Sequence, residues 1–96
     1  MRPEICDAIH KRRLLRFRYA PGLRVIEPYA YGANEAGHEL LRGYQIEGES
    51  ESRERGWKLF RVDEISELTT LDDEFAGPRL GYMRNDPSMT VIYCEI

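Results

Sequence analysis

Arginine and tyrosine recur at strand-like spacing along much of this chain, and they are the residues best suited to chemistry. Arg16 and Arg18 stand two apart, as do Tyr29 and Tyr31, and Arg42 and Tyr44. Arg24 and Arg61 complete the set. A guanidinium fork holds phosphate or carboxylate in bidentate fashion, which an ammonium group cannot do. Aromatic faces stack on bases while cations follow the phosphates, and small open barrels bind oligonucleotides in this way. The same residues also fit a plainer description, with tyrosines half-buried in the core and arginines as their solvent-facing neighbours. Twelve of the 14 cations are arginine, which suits either a phosphate-seeking surface or a simple compositional preference.

The net charge of −3 conceals a lopsided layout. Seven basic residues between Arg2 and Arg24 face only Glu4 and Asp7, whereas 63–74 carries six acids and no base. Signatures of catalysis are missing: no Gly-x-Ser-x-Gly, no His-Glu-x-x-His and no Walker-type glycine loop occurs. The carboxylates of 47–54 lie in a solvated run, where an enclosed proton-transfer site does not form. His10 and His38 lack the spacing of metal ligands. Cys6 and Cys94 lie near opposite ends with no Cys-x-x-Cys or zinc-like cluster. They read as two small buried apolar residues rather than a disulfide framework. The expectation is a binding module and not an enzyme, with no metal and no cofactor. No signal-peptide pattern and no membrane-length apolar run occurs, which leads to a cytoplasmic expectation.

Short elements must position these side chains. Pro3 suits a helix start, and Ile5, Ala8, Ile9 and Arg12 recur at three-to-four spacing, predicting a helix over 3–12. The period then changes to two, with Leu15, Phe17 and Tyr19 alternating against Leu14, Arg16 and Arg18. Pro21-Gly22 marks a turn, and 24–31 reads as a second strand with Tyr29 and Tyr31 on one face. Pro28 cannot donate to a ladder, so an edge or a bulge is expected there. A loop at 32–37 leads to a third strand at 38–46, and the polar stretch 48–56 reads as a mobile hairpin tip. A fourth strand at 57–62, a turn at 63–65 and a short fifth strand at 67–71 follow, with Phe75 plugging a barrel end. An irregular segment to about Pro87 precedes a sixth strand at 89–94. That last strand is expected either to close the open edge or to pair with a second copy of the chain. The whole of 1–96 reads as one domain, mainly β with one short N-terminal helix: a small barrel of five to six strands.

Four stretches occur in the order found in the bacterial WYL domain. Arg13-Leu14-Leu15-Arg16-Phe17-Arg18-Tyr19 resembles that family's first strand, and Arg24-Val25-Ile26-Glu27-Pro28-Tyr29 is similar to its arginine-x-x-glutamate-proline segment. Leu41-Arg42-Gly43-Tyr44 stands where the naming tripeptide ends, and Phe60-Arg61-Val62-Asp63-Glu64-Ile65 is similar to its Phe-Arg-Leu-Asp-Arg-Ile block. The resemblance covers about 5–75 and leaves 76–96 aside. It implies an SH3-like, Sm-like barrel acting in regulation, of transcription or of a defence system. It also implies a basic cleft that binds a nucleotide or single-stranded nucleic acid through Arg24 and Arg61, the two retained family arginines. Arg42, Tyr31 and Tyr44 would join them, with Arg16 and Arg18 extending the positive surface. The sequence departs from the family at Glu39-Leu40-Leu41, where Trp-Tyr-Leu is usual, and at Glu64, where an arginine is usual. Those departures support the rival expectation, a protein–protein interaction or assembly subunit without a small ligand, with a homodimer through the terminal strand as one form.

Overall fold

The computed structural model describes residues 1–50 and 56–96, so the middle of the stretch expected to form a hairpin tip lies outside the described residues. Helix α1 spans Pro3–Lys11. Proline opens it, where its missing N–H costs nothing, and Arg12 ends it in the left-handed conformation (φ 56°) with its N–H on the last carbonyls. The apolar stripe Ile5, Ala8 and Ile9 is buried.

The strands are β1 (Arg13–Tyr19), β2 (Gly22–Ala33), β3 (Glu39–Gly48), β4 (Gly56–Arg61), β5 (Ser66–Glu74) and β6 (Val91–Glu95), with a 3-10 turn, Val62–Glu64, between β4 and β5. They form one antiparallel sheet in the order β4-β3-β2-β1-β5, with β6 on β2. The chain is therefore mainly β with one short helix, as its periodicity implies. Among the described residues no ladder joins β4 to β5, so the sheet is open. The alternation expected in β1 is present: Leu15 and Phe17 are buried, while Arg16 and Arg18 are exposed.

Strand β2 organises the rest because it changes partners along its length. Its ladder with β1 runs from Gly22 to Ile26, and its ladder with β6 runs from Ala30 to Ala33. Between them stands Pro28, and the register with β3 shifts there: Pro28 faces Gly43 and Ala30 faces Arg42, leaving Tyr29 as the extra residue. A bulge of this kind moves every later side chain to the other face. Tyr29 and Tyr31 were expected to share a face, and the bulge separates them. Tyr29 packs with Leu14 and Phe75, whereas Tyr31 joins Leu15, Phe17, Ile26, Leu41, Phe60 and α1. The terminal strand turns back onto its own chain. Gly32 permits this approach, since a Cβ there would lie 2.1 Å from the Val91 carbonyl oxygen.

The sheet thus carries apolar clusters on both faces. Helix α1 covers the one holding Phe17 and Phe60. The segment after β5 covers the other, where Tyr29, Tyr44, Trp57, Phe75 and Tyr82 meet. Phe75 belongs to this second cluster.

Cys6 and Cys94 do not stand as separate apolar residues. They are joined in a disulfide, with Cα atoms 5.7 Å apart across 88 positions of sequence. Spacing arithmetic gave no hint of it, because the fold itself lays α1 against β6. Closing so long a loop stabilises chiefly by restricting the unfolded chain. Urea melts should show the bridge contributing about 2–4 kcal/mol, lost on reduction or in the Cys6→Ser/Cys94→Ser variant while the sheet stays folded at room temperature. Superimposable melts of the oxidised and reduced protein would contradict that contribution.

Candidate functional site

The two arginines singled out as a pair are not brought together. Arg24 is 5% exposed, and its guanidinium lies 5.1 Å from the Tyr19 ring centre and 5.6 Å from that of Phe60. It donates to the carbonyls of Tyr19 and Ala20 and to Gln45 Oε1, holding the β1–β2 corner shut. Arg61 follows Phe60 directly, so the pleat turns it to the other face. There it meets Asp63 at 2.7 Å and Glu64 at 3.7 Å.

The asymmetry of charge along the sequence is neutralised in space, because the basic β1 pairs with the acidic β5. Arg13 meets Asp72 and Arg18 meets Glu67. Arg16 lies exposed on the same outer face. Tyr31 is fully buried, donates to Glu39 and accepts from the Arg2 N–H. Burial, then the Glu39 carboxylate, pushes its hydroxyl far above the usual tyrosine range.

Arg42 and Tyr44 do share a face of β3, and β4 sets Leu59 and Trp57 opposite them. This is where the structure gathers a site, and most of its other parts come from the segment that looked merely irregular. Glu27, on the same face as Tyr44, is buried and must be paired. Arg79 supplies the partner, with bonds of 2.9 and 3.0 Å to the two carboxylate oxygens, and its guanidinium lies 4.2 Å from the Tyr44 ring centre. The Tyr29 hydroxyl donates to Glu27 and accepts from the Arg79 N–H. Burial, with the Glu27 charge adding to it, pushes Tyr29 up to about 12, so it stays a donor at neutral pH.

Pinned there, the chain crosses Trp57. The indole N–H donates to the Leu80 carbonyl at 3.1 Å, and Tyr82 stacks on the indole with ring centres 6.1 Å apart and planes 24° from parallel. Gly81 makes the bend at φ +94°, where a Cβ would lie 2.9 Å from the indole nitrogen. Farther on, Asp86 returns to β3. Its carboxylate takes bonds from Arg42 Nε (2.7 Å) and Nη2 (3.3 Å) and from the Ser88 N–H. Burial alone would raise the Asp86 carboxyl, but the Arg42 and Ser88 hydrogen bonds outweigh it and hold the group below its ordinary value.

The result is a half-open pocket of about 250 Å³, lined by Arg42, Trp57, Gly81, Tyr82, Met83, Asp86 and Pro87. It offers an aromatic wall beside an oriented guanidinium. Arg42 Nη1 has no protein partner among the described residues. A broader hollow of about 470 Å³ lies beside Arg2, His38, Glu39 and Asp63. Its two carboxylates suit an anion poorly. Among the described residues no cluster of three or more His, Cys, Asp or Glu could hold a metal.

Of the residues picked from sequence, only Arg42 lines the aromatic pocket, with Tyr44 packed close by against Trp57. Trp57, Tyr82, Asp86, Arg79 and Glu27 were not picked. One signal was readable: Arg79, Tyr82 and Asp86 interrupt a glycine- and proline-bearing stretch that had no need of them as a plain linker. No protein-family model, curated protein or solved structure matches this chain.

The lowered Asp86 carboxyl fixes the sign of a pH effect. A group whose folded-state pKa is depressed stabilises above its unfolded value and loses that contribution as pH falls through the folded one. Asp86→Asn should therefore destabilise by about 1.5–3 kcal/mol at neutral pH. The gap from wild type should start to close as pH falls below about 4, the ordinary aspartate value, and vanish only below the depressed folded-state value, where Asp86 itself becomes protonated. A gap of equal size at acid and neutral pH would show that the Arg42–Asp86 bridge contributes nothing.

Proposed function

We propose that this chain is a non-catalytic regulatory module of the WYL type that binds a nucleotide, or one nucleotide of a single strand, in the Trp57 pocket. The observation that carries the reading is the pairing of a stacked aromatic wall with a guanidinium nitrogen left open to a ligand. A base stacked on Trp57 would place a carbonyl or phosphate oxygen within reach of Arg42 Nη1, and stacking of this sort contributes about 1–3 kcal/mol per base. Arg16 is exposed on β1 and does not line this pocket. An SH3-like, Sm-like barrel is the finer reading of the fold. Its support is the leading helix, the strand order β4-β3-β2-β1-β5 and the register shifts that interrupt the β1–β5 and β2–β3 ladders. The four stretches that resemble the WYL domain point to the same family, though the ligand contacts move from Arg24 and Arg61 to Arg42 and Trp57. A role in transcription or in a defence system goes with that family reading.

Among the described residues no helix is long and apolar enough to cross a membrane. We place the protein in the cytoplasm, where disulfides are uncommon and usually redox-responsive. A second reading, a protein-interaction or assembly subunit, has one specific observation in its favour. Leu80 is 99% exposed and Met83 64% exposed beside the pocket, more apolar surface than a polar ligand needs.

Trp57 is the single tryptophan of the chain, so its fluorescence reports on the pocket directly. Nucleoside monophosphates and short single-stranded oligonucleotides at low salt should quench it saturably. Arg42→Lys, which keeps a charge on Asp86 but removes the fork, should weaken binding about tenfold, while Arg61→Ala and Arg16→Ala should change monophosphate affinity less than about twofold. No saturable quenching by any of these probes would overturn the nucleotide reading and leave the protein-partner one.

A further inference from the structure

Besides Arg79 and Asp86, the two residues that follow Cys94 hold the pocket wall. Glu95 Oε1 meets Arg84 Nη2 at 3.0 Å, and Glu95 Oε2 accepts from the Asn85 N–H at 3.1 Å. The Ile96 carbonyl accepts from the Tyr82 hydroxyl at 2.8 Å and from Arg84 Nη1 at 3.3 Å. Tyr82 in turn stacks on Trp57. Strand β6 itself has a short ladder on β2, interrupted by a register shift between Tyr31 and Gly32. Its covalent hold on the body of the protein is the Cys6–Cys94 bridge to α1. The bridge and the aromatic wall are thus connected through Glu95 and Ile96.

We propose that Cys6–Cys94 is a thiol-exchange site whose oxidation state sets the shape of the Trp57 pocket; its consequence for ligand binding rests on the reading of that pocket given above. The co-reactant is a dithiol. One of its sulfurs, as thiolate, attacks Cys6 Sγ, the partly exposed partner, and the Cys6–Cys94 bond breaks as Cys94 leaves as a thiolate and takes up a proton. The second sulfur of the dithiol then displaces Cys6 from the mixed disulfide, and Cys6 leaves as a thiolate that is protonated. The protein gains two electrons and two protons, and the dithiol becomes a disulfide. Released from α1, β6 keeps its ladder, its packing and the Ile96 N–H bond to the Tyr29 carbonyl, a weaker hold through which Glu95 and Ile96 fix Tyr82, Arg84 and Asn85 less firmly. Local opening of a weakly held segment does not require the rest of the sheet to unfold.

The test follows amide hydrogen exchange of the full chain with and without a dithiol such as dithiothreitol, with nucleoside monophosphate titrations by calorimetry in both states. On reduction, the hydrogen-bonded amides of Tyr82 and Asn85 should exchange about tenfold faster or more while β1, β2 and β3 stay protected. Affinity should fall about tenfold and return on reoxidation, as expected when the intact wall is a minor population. Glu95→Gln should loosen the same segment with the bridge still closed, which separates loss of the anchor from any damage to folding. Unchanged exchange at Tyr82 and Asn85, or loss of protection across the whole sheet, would overturn the proposal. Faster exchange with no nucleotide bound in either state would uphold the coupling and sink the ligand reading instead.

Discussion

A carboxylate buried against a sheet must find a cation, and Glu27 finds Arg79 across 52 positions of sequence. Most of what distinguishes this molecule depends on that pair. Glu27 is 7% exposed at its side chain, so stripping away Arg79 would strand a buried charge at a cost of about 3 kcal/mol or more. The pair brings the chain after β5 down onto the outer face of the sheet. It also seats Arg79 over Tyr44 and lets Tyr29 bridge the carboxylate to the backbone. Only with the chain fixed there can Leu80 meet the indole of Trp57 and Tyr82 lie over it.

Strand β2 supplies the geometry that makes this placement work. It changes from β1 to β6 around Pro28, where a residue without an N–H interrupts the ladder least. The bulge at Tyr29 turns that ring to the outer face, while Tyr31 continues inward. One strand thereby serves two apolar clusters, one sealed by α1 and one sealed by the C-terminal segment. The disulfide ties the two coverings together, since Cys6 belongs to α1 and Cys94 to β6.

The local layers of this structure were legible from the residues. The helix, the alternation in β1, the succession of strands along the chain and the irregularity at Pro28 all follow from short-range spacing. What escaped depends on distance or register. The bulge at Tyr29 adds one residue, and no periodicity announces which tyrosine will turn. The resemblance gives Arg24 a binding role in a basic cleft, yet two aromatic faces and the Tyr19 and Ala20 carbonyls at the β1–β2 corner hold it buried. The lopsided charge suggested a basic surface, but pairing of β1 with β5 brings acids to those arginines. The pocket joins Arg42 to Asp86 and Trp57 to Tyr82 across dozens of positions, and only the folded chain brings them within bonding distance.

The central claim, that ligand chemistry resides where 79–87 crosses β3 and β4, is tested most directly by mapping amide and side-chain resonances during titration with a nucleoside monophosphate. The account predicts shifts confined to the Trp57 indole N–H, the Arg42 guanidinium and the amides of Gly81 to Asp86. Shifts centred on Arg24, Arg16 and Arg18, with the Trp57 indole unmoved, would contradict it.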